Sequence, residues 1–327
     1  MGIGNLIKEI GHGYGETGEL TFEEARQLFG AMLDGGVPEL ELGALLMALH
    51  MKTESVSELL GFDQALSERI FRLERPAGDY RPVVLPSYSG ARNQPNLTPL
   101  VALWLKRLGI PVLIHGTLEG HGRVASAYIL RELGILPNIT LNQAQQVLER
   151  EHLAFVPTAV LSPGLASLLS LRNRMGVRNS SHTLAQLMDP FVGESLRVVC
   201  ATSSDYLQKM REFLLATGAT ALLLQGTEGE PFANPKLRPQ LEFFREGKGV
   251  VLFEAEMGPI KDLPGLPLKC DAPTTAIWTR QALAGEAPLP LPLVNQLASC
   301  LYAAGMTEDL VQAKAIVAVE TGSLVAA

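Results

Sequence analysis

Three arginines, Arg172, Arg174 and Arg178, fall within the seven-residue stretch RNRMGVR with no acid between them. A guanidinium is planar, always charged, and takes phosphate or carboxylate oxygens two at a time. On one continuous helix Arg174 and Arg178, four apart, share a face, with Arg172 off to one side. Two chemistries fit that pattern equally well: binding of phosphate groups, or structural pairing with acids of the N-terminal helices such as Glu23 or Glu24. Arg92, Arg123, Lys236 and Arg238 add cations elsewhere, and each alone reads as an ordinary solvated residue.

A second stretch with chemical content is PSYSGARNQPNLTP, Pro86 to Pro99, where a strand hands over to a helix. Such turns hold phosphate on backbone amides, and glycine lets those amides approach oxygen and adopt positive φ. Here only Gly90 remains, followed by Ala91 and Arg92. LTPLVALWLKRLG then reads as a helix, whose first amides favour an anion. GETGE near residue 15 and GTEGE near 226 are too acidic to serve as phosphate cradles. His12, His50, His115, His121, His152 and His182 show no H-E-x-x-H spacing, and G-x-S-x-G is absent. The three cysteines, Cys200, Cys270 and Cys300, are too scattered for a thiolate zinc site or a disulfide framework, which points to a reducing compartment. No catalytic residue, metal or cofactor is expected from these patterns.

The elements that position these residues are legible in part. Residues 1–75 read as a small helical domain: a capping box starts a helix at Thr21 with Glu24, a second helix follows Pro38, and a third takes its cap at Thr53. RPAGDYRP is a linker. Beyond it VVLP, PVLIHG, LRVVCA, ATALLLQG and GVVLFEA are short apolar runs suited to buried strands, alternating with helical patterns. The expectation is an α/β domain over 80–160 and 190–327, with a mainly parallel central sheet flanked by helices. A helical insertion at about 160–190 joins the N-terminal cluster.

At 327 residues, 47% hydrophobic and 19% charged, the chain is a globular protein. The formal charge is −7, yet Arg92 to Arg178 holds nine Lys/Arg against four Asp/Glu, a local surplus of five, leaving −12 on the rest. Such asymmetry suits one positive groove on an acidic body, or chance scatter over solvated helices. The N-terminus has no signal-peptide pattern and no apolar run is long enough to span a bilayer, so the cytoplasm is the expected location and no membrane partner is expected.

The order of these signals resembles the anthranilate phosphoribosyltransferase group. LTFEEARQLFGAMLDGGVPELELGALLMALHMKTESVSELLGFDQAL is similar to that family's helical domain, and the resemblance continues through IPVLIHGTLEGHGRVASAYILRELGI and RNRMGVRNSSHTLAQLMDP. Family members carry GTGGD and KHGNR motifs, a serine–lysine stretch and an Asp-Glu pair that holds magnesium. Here the first is SYSGA, Ser87 to Ala91, and the second is IHGTL, retaining His115 and Gly116. Arg123 stands where the serine–lysine stretch has its lysine, and Pro231 and Phe232 stand at the acidic pair, with Glu228 and Glu230 displaced upstream. The resemblance thus marks Ser87, Ser89, Gly90, Asn96, Thr98, His115 and Gly116 as a degenerate substrate site.

These departures resemble the YbiB-like branch, whose members are dimers that bind nucleic acid through a basic groove without detectable phosphoribosyl transfer. The implied function is non-catalytic, largely sequence-independent binding of DNA or RNA by Arg92, Arg123, Arg172, Arg174, Arg178, Lys236 and Arg238, in a homodimer formed through the helical domain. Tyr88, Tyr128 and Phe232 are the aromatic residues placed to stack on bases. The alternative is a phosphoribosyl or glycosyl transferase, or a nucleoside phosphorylase, with an unrecognised substrate; His115, Gly116, Arg123 and the Asn96–Thr98 helix start motivate it.

Overall fold

The computed structural model describes residues 3–11, 18–258, 260 and 265–322. The chain divides into two compact units, Met1–Arg72 with Thr158–Pro190, and Leu73–Pro157 with Phe191–Ala327. Helices and strands are numbered along the whole chain.

The first unit is helical: α1 (Ile3–Ile10), α2 (Phe22–Leu33), α3 (Glu39–Lys52), α4 (Val56–Ser67), α8 (Thr158–Leu161), α9 (Pro163–Ser170), α10 (Arg172–Met175) and α11 (Ser180–Leu187). Helix α2 starts on the capping box of Thr21 and Glu24 that the sequence predicts. The α4 cap differs from expectation. It is Ser55, not Thr53, because Glu58 lies three positions beyond Ser55 and reaches back to its amide at 2.8 Å, while Thr53 closes α3 at φ 61°. Glu58 is fully buried, and it also accepts from Leu20 N at 2.9 Å and from Lys52 Nζ at 2.6 Å. One carboxylate therefore ties the end of α3 and the start of α4 to the entry of α2. Phe29 and Phe62 stack at 4.9 Å between α2 and α4, closing the core of this unit.

The arginine segment is not one helix. Gly176 adopts φ 75° and ends α10, and Asn179 then caps α11 by accepting from Ser181 N at 3.0 Å. Arg178 sits in the connection between the two caps, so the expected shared face of Arg174 and Arg178 is corrected: a glycine and a new N-cap intervene.

The second unit is α/β. Its strands are β1 (Val83–Ser87), β2 (Val112–Gly116), β3 (Leu153–Pro157), β4 (Leu196–Ala201), β5 (Ala221–Thr227), β6 (Glu230–Ala233), β7 (Leu241–Arg245) and β8 (Lys248–Phe253). Its helices are α5 (Thr98–Arg107), α6 (Ser126–Glu132), α7 (Leu141–Glu151), α12 (Ser204–Thr217), α13 (Ala272–Leu283), α14 (Leu291–Ala304) and α15 (Leu310–Glu320). The sheet order is β3-β2-β1-β4-β5-β7-β8, parallel from β3 to β5 and antiparallel at β7 and β8. The five parallel strands are buried almost throughout, as near-continuous Val/Leu/Ile runs require. Strand β8, expected to be buried, is an exposed edge strand: Val250 is 52% accessible.

Because β1 lies between β2 and β4, the chain winds outward in both directions from it. The carboxyl ends of these strands are where an open α/β sheet forms a crevice. After β5 the chain reverses and β6, paired with β5, lies against β1, β4 and α5. Gln296 of α14, itself buried, fixes β6 by accepting from Ala233 N and donating to Pro231 O, both at 2.8 Å.

Candidate functional site

The loop after β1 carries the residues expected to form a phosphate cradle. Gly90 adopts φ 63°, and a Cβ there would meet Arg123 Cβ and Val124 O at 3.1 Å, so this one glycine is required both by conformation and by space. Ala91 exchanges backbone hydrogen bonds with Val124, tying the loop to the segment before α6. Asn96 holds the start of α5: its Oδ1 accepts from Thr98 N at 3.1 Å while its Nδ2 donates to Val124 O at 3.1 Å.

These donors converge on a residue of this chain. The β5–β6 connection is a two-residue turn in which Glu228 and Gly229 both have positive φ, 54° and 88°. Its exit delivers the fully buried Glu230 into the loop. Oε1 accepts from Ser89 N and Gly90 N, each at 2.8 Å. Oε2 lies 2.7 Å from Ser87 Oγ and 3.1 Å from Thr98 Oγ1, with Ser126 Oγ at 3.3 Å and Asn96 Nδ2 at 3.4 Å. Every one of these partners of Glu230 is a neutral donor, so hydrogen bonds alone replace the hydration that the buried carboxylate has lost.

Glu228 fills the outer half of the same loop. It accepts from Arg92 N at 3.1 Å, Asn93 N at 2.9 Å and Gln94 N at 3.0 Å, and pairs with Arg123 Nη2 at 2.6 Å. Three successive amides and a guanidinium around one anion form a nest. A glutamate at positive φ is uncommon, and these four bonds hold the conformation in place.

Ser87, Ser89, Gly90, Asn96 and Thr98 therefore come together, around Glu230. His115 and Gly116 end β2 in register with Pro86 and Ser87. The His115 ring is fully buried, its Nδ1 2.7 Å from Tyr88 Oη, and burial pushes its pKa down to about 3, so it is neutral. Its Nε2 is buried without a hydrogen-bond partner among the described residues. The helix start at Thr98, expected to meet a phosphate, meets Glu230 instead.

The seven cations are divided between the units. In the helical unit, Arg172 begins α10, Arg174 pairs with Glu39 at 3.2 Å, and Arg178 lies before the Asn179 cap; Glu23 and Glu24 are engaged instead by Arg26 and by the Thr21 cap. In the α/β unit, Arg123 is committed to Glu228 and Arg238 to Glu256, while Arg92 and Lys236 are exposed. Two of the three stacking candidates are corrected: Tyr88 and Phe232 are 3% and 0% accessible, because they fill the core behind the loop and under β6. Tyr128 is half-buried and accepts from Gly120 N at 3.0 Å.

Magnesium, which the resemblance implies for catalytic relatives, does not fit. The oxygens of Glu228 and Glu230 face amide, hydroxyl and guanidinium protons, and Pro231 and Phe232 bring no side-chain oxygen. Sequence reasoning missed both glutamates as site residues by reading GTEGE as a failed cradle and its two acids as displaced from the metal-binding pair. The available signal was the acid–glycine–acid order directly after an apolar strand, which reads as a tight turn bearing two carboxylates.

Comparison with known proteins agrees with this architecture. Residues 5–70 match the helical bundle domain of the glycosyl transferase family. The uncharacterized protein YbiB of Escherichia coli (strain K12) is 43% identical over 307 residues, covering 93% of this chain and 95% of that protein. Anthranilate phosphoribosyltransferase of Thermus thermophilus is 28% identical over 301 residues, 90% of this chain and 88% of the enzyme. A crystal structure of anthranilate phosphoribosyltransferase from Thermus thermophilus has the same fold, with a TM-score of 0.77 at 24% identity over 98% of this chain and 94% of that one. The Saccharomyces cerevisiae enzyme in complex with PRPP and Mg gives a TM-score of 0.74 at 11% identity, covering 98% and 93%.

Proposed function

The chain belongs to the anthranilate phosphoribosyltransferase-like superfamily, in the branch that holds YbiB, and from that premise we propose a non-catalytic protein that binds nucleic acid largely without regard to sequence. The observation that carries the non-catalytic half is the buried Glu230. The amides and hydroxyls best placed to take a substrate oxyanion are already occupied by its carboxylate, at 2.7–3.1 Å for the closest four.

The binding half rests on the cations and on the resemblance to the YbiB-like branch. Arg92 and Lys236 are exposed, and the Arg174–Glu39 pair is itself exposed, with 68% and 82% of the two side chains accessible. A surface pair of that kind contributes at most about 1 kcal/mol, so it does not withhold the guanidinium from a phosphate. Backbone phosphates would be held by counterion release, and affinity falls steeply with salt. Base readout is not part of the proposal, since the aromatic residues are mostly buried. The reduced thiols of Cys200, Cys270 and Cys300 suit a cytoplasmic location. Among the described residues no helix is long and apolar enough to cross a membrane.

A homodimer through the helical unit completes the proposal. Leu40, Met47 and Met51 of α3 stand 83%, 38% and 69% accessible at spacings of seven and four, one apolar stripe that a second copy would cover.

The test is a salt titration with fluorescent single-stranded DNA on the intact protein. Binding at low salt that weakens log-linearly with salt is expected, and Arg172→Glu with Arg174→Glu and Arg178→Glu should reduce it without altering the sedimentation behaviour. Absence of binding, or binding insensitive to salt, refutes the nucleic-acid half. Heat on titrating phosphoribosyl pyrophosphate with magnesium refutes the non-catalytic half.

A further inference from the structure

The structure assigns Glu230, with Glu228 beside it, the role of a resident anion: the loop after β1 is a working oxyanion site whose ligand is part of the chain. This deepens the non-catalytic half of the function proposed above, on whose buried Glu230 it rests, and holds whether or not nucleic acid binds.

The donor set is what identifies the site. Two adjacent amides, Ser89 and Gly90, aim at one oxygen of Glu230, and the hydroxyls of Ser87 and Thr98 aim at the other. The N-terminus of α5, a helix of ten residues, lies behind Thr98. Three further amides and the Arg123 guanidinium surround Glu228. Amides cannot turn to accept, so five of them converging on two points need acceptors there, and an anion is the strongest acceptor available. Such a loop ordinarily obtains that anion from solution. This chain supplies it from a two-residue turn anchored by the Gln296 clamp and by buried Phe232.

Two consequences follow. The wild-type site excludes phosphate and pyrophosphate groups, because any oxyanion must displace a carboxylate that is tethered at high effective concentration. A variant lacking the Glu230 carboxylate regains an anion site of the phosphate class, with donors already in place.

The experiment measures anion-dependent thermal stability of the intact protein at constant ionic strength, comparing chloride with inorganic phosphate and with formate. Wild type should show only the small, non-saturating rise that phosphate gives folded proteins in general. Glu230→Ala should melt lower in chloride and recover part of the loss in phosphate or formate, saturably, as expected for a ligand that binds only the native state. Calorimetry should find phosphate bound at least about tenfold more tightly by Glu230→Ala than by wild type. Equal phosphate response in both proteins, or none in a folded Glu230→Ala, overturns the inference. If Glu230→Ala does not fold, Glu228→Ala provides the same readout at the Arg92–Gln94 amides and Arg123. A phosphate-dependent rise in its Tm supports the inference, and no rise overturns it.

Discussion

Replacing Glu230 by glutamine and by alanine separates the satisfaction of donors from the presence of charge. Alanine removes the acceptor that the amides of Ser89 and Gly90 share, in a site where Glu230 itself is fully buried. A buried donor left unpaired costs about 1–3 kcal/mol, so two cost about 2–6 kcal/mol. The hydroxyls of Ser87 and Ser126 are 2.7 Å apart and satisfy one another, adding little. Glutamine keeps an acceptor oxygen for both amides and turns its amino group toward Ser87 and Thr98, whose hydroxyls rotate to accept. It loses only the extra strength of charge-assisted bonds and meets an unfavourable Asn96 Nδ2 at 3.4 Å, while relief from desolvating a charge acts the other way. The expected cost for glutamine is about 1 kcal/mol, well below that for alanine. Urea unfolding followed by tryptophan fluorescence suits the measurement, because both tryptophans, Trp104 and Trp278, are buried in the α/β unit at 1% and 5% accessibility. Glutamine costing as much as alanine, or alanine within about 0.5 kcal/mol of wild type, would refute the reasoning.

Two further perturbations probe other buried groups. The unfolded chain protonates His115 near its ordinary 6.5 while the native ring resists down to about 3, so stability falls as pH drops through that window, by up to about 1.4 kcal/mol per unit. His115→Gln should flatten the wild-type loss between about pH 6.5 and pH 5 in the same urea assay, and unchanged slopes would contradict the neutral buried ring. In the helical unit, Lys52→Met strands the Glu58 carboxylate, whose side chain is 0% accessible against 5% for Lys52, and should cost about 3–5 kcal/mol by far-ultraviolet circular dichroism. Adding Glu58→Gln should recover part of that loss, since it removes the stranded charge while its one oxygen still accepts from either Leu20 N or Ser55 N.

Much of the architecture is written in local pattern. The Thr21–Glu24 box, the Val- and Leu-rich runs of β1, β2, β4 and β5, and the family likeness of the N-terminal helices follow from residue type and spacing, because capping and burial act within a few residues. Strands β3, β6 and β7 escaped that reading: LAFVP directly follows a helix through His152 at φ 56°, EPFA begins with an acid, and charges interrupt LEFFR. Only tertiary structure decided what the loop after β1 holds. Glu230 reaches Ser87 across 143 residues and Thr98 across 132, through a turn aimed by positive φ at Glu228 and Gly229. Composition marked that turn as acidic and therefore unfit to bind an anion. Folding places its acids opposite converging amides, where the same negative charge becomes the ligand, and no local periodicity encodes such a meeting.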